Sequence, residues 1–459
     1  MVERKSRINV VLPMILSLAV IVLYRYLELK FAVALIVGII GFVLVNYNIK
    51  IGILGATFLM PFMPDKIGLA MMLSLSVFFF IKYVLIEPKP LKATIFGAII
   101  GVYFIIACIA TFTSISLSGS IRDIGLHMGG LSYAFVVINT IETKEDLNTL
   151  LTVLMVSATL VALYGVLQYF TGVEIAREWM DVESSPDISA RVYSVFGNPN
   201  ILAEYLVILC PIGVGMMWQT KSIKKKPIFF LGAVSMLIAL ILTMSRGGWL
   251  GIAFAALVFV LLVDRRLLLL AIPIVIAAFF LLPTSILNRI TSIGNMADSS
   301  IKHRFDILNV TFNVIRDNWV AGVGFGYLPF KMVFETYNRY INMYHVHNTY
   351  LQTMGELGIP AFTIFATMLF TFIKYPILKL VKRKDDTYYR YVGAGIVAGL
   401  VGILSQGFFE SILYLPRIIF IFWTVVGIMI AMVNIASKDN DIELNSIDQS
   451  VVVKRGNRK

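Results

Sequence analysis

Four histidines, His127, His303, His345 and His347, are all the imidazole this 459-residue chain contains. Three of them lie in or beside one stretch, 284–348. The run HVHNTYLQTMGELGIP, residues 345–360, passes there from loop into an apolar helix. Asn348, Gln352 and Glu356 recur every four residues and share one helical face. Polar side chains on one stripe of a membrane helix face protein or water, not lipid. His347 stands at the mouth of that stripe, where a neutral imidazole suits general-base work. It reads equally as an interfacial histidine beside a helix cap. His345 and His347 are also half a metal site that His303 or Glu335 would have to complete. With no Cys partner and no H-E-x-x-H run, no metal is expected.

Arg246 lies in TMSRGGWLG (243–251), where Gly247 and Gly248 permit a tight turn. An arginine held there can grip phosphate through its bidentate fork, or simply snorkel. Arg304 sits in KHRFD, Arg316 lies twelve residues on, and Arg191 opens RVYSVFGNPNILAEY (191–205). Each alone reads as solvated. Together, beside a histidine, they suit an anionic ligand such as a lipid-linked pyrophosphate. GVGFG (322–326) lacks the strand, the helix and the third interval of a dinucleotide site, and reads as a flexible turn. A backbone nest for phosphate is the weaker alternative. Glu204, Glu356 and Glu410 are acids embedded in apolar runs, with Arg417 placed to pair with Glu410. Such acids also suit a transporter or flippase of solutes or lipid-linked glycans, which is the rival reading. Neither an inverted repeat nor matched broken helices support it.

The elements that must carry these residues are membrane helices. The chain is 58% hydrophobic and only 14% charged, with a mean hydropathy of +0.85. A water-facing surface all round is therefore excluded. Runs long enough to cross a bilayer start near 8–24, 31–47, 51–64, 67–86, 93–115, 124–140 and 148–170. Others lie near 201–218, 228–244, 247–263, 267–283, 350–374, 391–414 and 416–436. The expected fold is an all-α membrane protein with 12–14 transmembrane helices. Its long extracytoplasmic loop, 284–348, contains an amphipathic helix over 300–318. That helix sets Phe305, Leu308, Phe312 and Ile315 at helical spacing, with Asp298 or Ser299 as its cap.

The formal charge is +12, and its densest Lys runs, 221–226 and 379–390, fall in short loops. The positive-inside rule makes those loops cytoplasmic, along with both termini. The longer outer loops, 171–200 and 284–348, then hold the arginines that topology does not explain. The basic excess thus reports a bilayer and no nucleic acid. The organisation read from this is N-terminal helices over 1–170, a membrane domain over 171–436 and a flexible polar cytoplasmic tail over 437–459. Cys108 and Cys210 sit in apolar runs and read as small core residues.

TMSRGGWLG, RVYSVFGNPNILAEYL, the R-F-D…GVGFGY stretch and HNTYLQTMGELG together resemble the O-antigen ligase/polymerase (Wzy/WaaL-like) family over roughly 190–375. The resemblance implies a multi-pass glycosyltransferase of the bacterial plasma membrane, working on its extracytoplasmic side without cofactor or metal. It implies a donor glycan carried on undecaprenyl pyrophosphate and a hydroxyl on a glycan or surface acceptor. By motif position, Arg246, Arg304 and, less firmly, Arg191 would hold the pyrophosphate. His347 would be the catalytic base or position the acceptor hydroxyl, with Asn348, Gln352 and Glu356 in support.

Overall fold

Apolar runs in this chain become helices because a bilayer offers no partner for a free backbone amide. The computed structural model describes residues 29–92, 94–172, 191–269, 273, 280, 284–291, 299–383 and 386–456. The expected spans 8–24 and most of 267–283, the centre of the 171–200 loop, and Asp298 lie outside these residues. The helices are α1 (Leu29–Tyr47), α2 (Ile49–Leu59), α3 (Asp65–Phe80), α4 (Ile95–Phe112), α5 (Leu117–Thr140), α6 (Lys144–Thr171), α7 (Pro199–Gln219) and α8 (Lys226–Leu242). They continue as α9 (Arg246–Val263), α10 (Thr284–Thr291), α11 (Ser299–Asp317), α12 (Tyr327–Tyr337), α13 (Thr349–Pro376), α14 (Thr387–Gln406) and α15 (Pro416–Gly456).

Among the described residues there is no strand, and eight helices are long and apolar enough to cross a membrane. Three further apolar helices are shorter, among them Lys226–Leu242. The protein is an all-α, multi-pass membrane protein. It divides into two compact units, Met1–Gly55 and Ala56–Lys459. In the first, α1 is a single apolar helix. The second carries everything that follows.

The core of the second unit is α14, packed against α7 and α9. Small residues let these backbones meet, as in membrane helix pairs generally. A Cβ at Gly399 would fall 2.2 Å from the Ile208 carbonyl oxygen. α15 packs on α5 along its buried length, with Trp423 at 1% exposure beside Gly130.

Two sequence expectations are corrected. The tail is helical, since α15 runs without a break from Pro416 to Gly456. No Pro or Gly interrupts 428–455, so nothing stops the helix at the membrane boundary. Tyr389 and Arg383 also hold its emerging turn, through Asp439 and the Ala436 carbonyl. Next, the run 391–414 is not one span, because its helix ends at Gln406 and leaves 407–415 as a connector. The expected amphipathic helix forms as α11, and its four spaced apolar residues divide between two faces. Ile307 and Val314 are buried against Phe330, Phe334, Met343 and Val346, with Ile315 buried and Leu308 half-buried beside them. Phe305 and Phe312 point outward, at 47% and 54% exposure. Because α11 packs on α12 and α13 on one side only, it presents one apolar face to protein and a second, aromatic one away from it.

Candidate active site

Each of the three chemistry-bearing segments ends as the N-cap of a membrane helix. Asn198 caps α7, Ser245 caps α9 through the Gly248 amide at 3.3 Å, and Asn348 caps α13 through the amides of Tyr350 and Leu351. These are the residue types that satisfy orphan amides at helix starts. Each segment also contains a non-glycine residue with left-handed backbone. They are Ser194 (φ 52°), Met244 (φ 53°) and His347 (φ 55°), the only three such residues among those described. Left-handed backbone at a side-chain-bearing residue costs roughly 1–3 kcal/mol and persists only where its surroundings over-determine it. At Ser194 the surroundings are visible. Its hydroxyl donates to the Val161 carbonyl at 2.6 Å and its amide to Gln168 at 2.6 Å.

The connector 407–415 brings the segments together. Nearly every carbonyl freed where α14 stops finds a tertiary donor. Gly407 accepts from the Thr349 amide at 2.8 Å and Phe408 from Asn348 Nδ2 at 3.2 Å. Phe409 accepts from Arg304 at 2.9 Å and Glu410 from the Thr349 hydroxyl at 2.8 Å. The Thr349 Oγ1 in turn accepts from the Ile412 amide at 3.0 Å. Pro416 then opens α15, a position where the missing N–H is no loss.

This lays the Glu410 side chain between a guanidinium and an imidazole. Arg304 donates to its Oε1 at 2.9 Å, and His347 Nδ1 lies 3.0 Å from its Oε2. The Arg246 turn closes over the same carboxylate. A Cβ built on Gly247 would lie 3.7 Å from Glu410 Cγ and 3.7 Å from Gln406 Cγ. Burial alone would raise the Glu410 carboxyl. The Arg304 charge and the His347 hydrogen bond outweigh burial and hold it down to about 2. The carboxylate is therefore ionised and can only accept. His347 must carry its proton on Nδ1 to meet it, which leaves the lone pair of the neutral ring on Nε2.

The structure brings together Arg304, His347 and Asn348 around the 407–410 connector, with the turn that carries Arg246 packed beside them. It gives other work to the rest. Arg191 is buried, donating to the Thr243 carbonyl at 3.0 Å and to Asn200 at 3.0 Å, so it braces the α8–α9 turn against the start of α7. Gln352 accepts from Ser411 at 2.9 Å and donates to Glu356 at 2.9 Å. Glu356 accepts from the Gly326 amide at 2.9 Å, while its carbonyl accepts from Gly324 at 3.0 Å. The GVGFG stretch is thus fastened to α13 rather than being a flexible turn, and the amides of Gly324 and Gly326 are spent on Glu356. Gly322, at φ 68°, passes so close that a Cβ would sit 2.2 Å from the Glu356 carbonyl oxygen. His345 leaves the cluster and lies between Tyr327 and Tyr414, with ring centroids 4.8 and 5.6 Å away. Burial lowers it to about 4, helped by the neighbouring His347. Arg316 pairs with Asp317 at the surface.

The expected Glu410–Arg417 pair does not form. Arg417 meets Asp65 at 3.0 Å and the Val195 carbonyl at 2.6 Å. Glu410 precedes α15, and its carboxylate turns to Arg304 and His347 instead. The residue that organises the site was therefore visible only as an acid in the aromatic run GFFESILYLP, the kind of intramembrane charge that marks function by default.

Fold and cluster define a multi-pass, all-α membrane protein that gathers an arginine, a carboxylate and a histidine where its helices begin and end. Residues 231–366 match the family model described as O-Antigen ligase, within the stretch that resembles the O-antigen ligase/polymerase family. The match supports a glycan ligase or polymerase role in general. It takes in Arg246, Arg304 and His347 and stops short of Glu410. No curated protein matches the chain.

Proposed function

We propose that the protein transfers a glycan from undecaprenyl pyrophosphate to an acceptor hydroxyl on the extracytoplasmic side of a bacterial plasma membrane. The hydroxyl belongs to the growing polysaccharide or to a surface acceptor. The observation that carries this reading is Glu410, whose two oxygens hold a guanidinium and an imidazole side by side.

His347 Nε2 takes the acceptor proton while the acceptor oxygen attacks the anomeric carbon. The bond from that carbon to the pyrophosphate oxygen breaks, and the leaving group departs as the lipid pyrophosphate. Arg246 and Arg304 stabilise the charge that develops on it. Arg304 spends two donors on Glu410 and the Phe409 carbonyl, and a guanidinium has five. Glu410 stabilises the imidazolium as it forms. Arg191 positions the Arg246 turn, and Asn348, Gln352 and Glu356 position His347 and the loop behind it. A single in-line displacement inverts the sugar carbon. No step needs a metal. Two of the three acids a transporter would use are tied up, Glu356 by a backbone amide and Gln352, Glu410 by an ion pair, while Glu204 keeps one buried oxygen without a partner among the described residues.

The test is reconstitution with a synthetic undecaprenyl-pyrophosphate oligosaccharide. Longer glycan on the same lipid means polymerisation, and glycan moved to another acceptor means ligation. Unchanged donor in the presence of folded wild-type protein and candidate acceptors would overturn the proposal.

A further inference from the structure

A cleft of about 670 Å³ opens between α6, α7 and α8 at the other end of the bundle from Glu410. α7 sets the separation. Asn200 in its first turn bonds Arg191 near the site, while Gln219 at its end lines the cleft. Its 21 residues, at 1.5 Å each, span about 30 Å.

The cleft is amphipathic along one direction. Its deep wall is apolar, with Met155 and Met236 buried, and Gly232 brings α8 close enough that a Cβ would meet the Thr159 hydroxyl at 2.8 Å. Its flank, formed by Val156, Leu160 and Ile228, is exposed and apolar, as a lipid-facing helix surface would be. Its end carries Lys221, Ser222 and Lys225. No Asp or Glu lines it, and among the described residues no carboxylate pairs with Lys221 or Lys225. A second, polar hollow shares Gln219 and Lys221 with the first and adds Lys144 and Tyr388. Lys144 there is neutralised by Asp386 at 2.6 Å, so the uncompensated charge falls on the loop lysines. Between them Ile223 stands 88% exposed, an apolar side chain at the level of the lysines.

An apolar slot open to acyl chains, ending in two unpaired lysines at one depth, matches a molecule with a chain and a phosphate. We propose that this cleft binds one anionic phospholipid of the leaflet opposite the Glu410 cluster. An acyl chain lies between α6 and α8, the phosphate rests on Lys221 and Lys225, and the headgroup reaches the polar hollow. By the positive-inside rule that leaflet is the cytoplasmic one, where basic pockets between membrane helices recognise anionic headgroups. The site is independent of the glycan chemistry proposed above.

Native mass spectrometry of the purified full-length protein tests this, with dioleoylphosphatidylglycerol and dioleoylphosphatidylcholine titrated at equal concentration. One phosphatidylglycerol is expected to stay bound where phosphatidylcholine does not. Lys221→Gln with Lys225→Gln should weaken it on the order of tenfold. Lys224→Gln with Lys226→Gln, an equal charge change just outside the cleft, should leave it unchanged. Val156→Trp should displace the lipid with all four lysines intact. Equal retention of both lipids would overturn the proposal. So would equal losses from the two lysine pairs, which would mean surface charge alone, or competition by glycerol phosphate at the lipid's own affinity, which would mean a site without a chain.

Discussion

His347 reaches Glu410 across 63 residues of chain, with Nδ1 3.0 Å from Oε2. That one contact fixes the imidazole's tautomer and its orientation. Replacing His347 by Ala should abolish glycan transfer while the protein still inserts. Glu410→Gln offers His347 an amide in place of a carboxylate and removes the stabilising charge. Transfer by the reconstituted protein should then fall roughly 10²–10⁴-fold, read as product per unit time at saturating donor. Near-normal rates in both variants would dismiss the assignment.

Arg304 serves Glu410 and, in the proposed reaction, the donor. Arg304→Ala leaves a buried carboxylate with half its compensation, at roughly 1–3 kcal/mol for a group left under-satisfied. Transfer should be lost as well. Arg304→Lys restores the charge without the fork, so it should recover thermal stability better than activity. Equal recovery of both would make the arginine purely structural.

Thr349 joins α13 to the connector with one hydroxyl, donating to the Glu410 carbonyl and accepting from the Ile412 amide. Thr349→Val keeps the shape and strands both partners, at roughly 1–3 kcal/mol, with transfer reduced as Glu410 shifts. Thr349→Ser should restore both. Thermal unfolding in detergent and the transfer assay read the two effects separately.

Acid should destabilise the site in two stages. His345 is lowered from 6.5 to about 4 in the fold and Glu410 from 4.5 to about 2. In each interval the unfolded chain binds the proton and the folded chain does not, so stability falls as pH falls. The His345 contribution is whole above pH 6.5 and is lost toward pH 4. That of Glu410 is whole above 4.5 and is lost toward 2. A melting curve measured from pH 7.5 downward should decline below 6.5, and His345→Phe should flatten that first stage. A flat wild-type curve between 6.5 and 4 would contradict the burial assigned to His345.

Gly322 has no room for a side chain and holds φ 68°. Gly322→Ala should push the 322–326 loop off α13 and cost about 1–3 kcal/mol, as overpacking generally does. Transfer should fall with it, because Glu356 and Gln352 link that loop to Ser411 in the connector. A variant with wild-type melting temperature would show that the loop yields.

Hydropathy alone determined that this chain is a helical membrane protein, because apolar runs of about 20 residues fit a bilayer as helices, whose backbone groups pair within the segment. Residue type and motif singled out Arg246, Arg304 and His347 as candidates, and four-residue spacing put Asn348, Gln352 and Glu356 on one protein-facing stripe. These are local properties, written in neighbouring residues. The tertiary structure decided the rest. It ended α14 at Gln406, which apolar content did not foretell, because the carbonyls of 407–410 find donors only on α11 and around the start of α13. It turned Phe305 and Phe312 outward because α12 and α13 cover only one side of α11. It gave Glu410 to Arg304 and His347 instead of Arg417, since an ion pair depends on where two chains of packing arrive, and sequence distance carries no record of that.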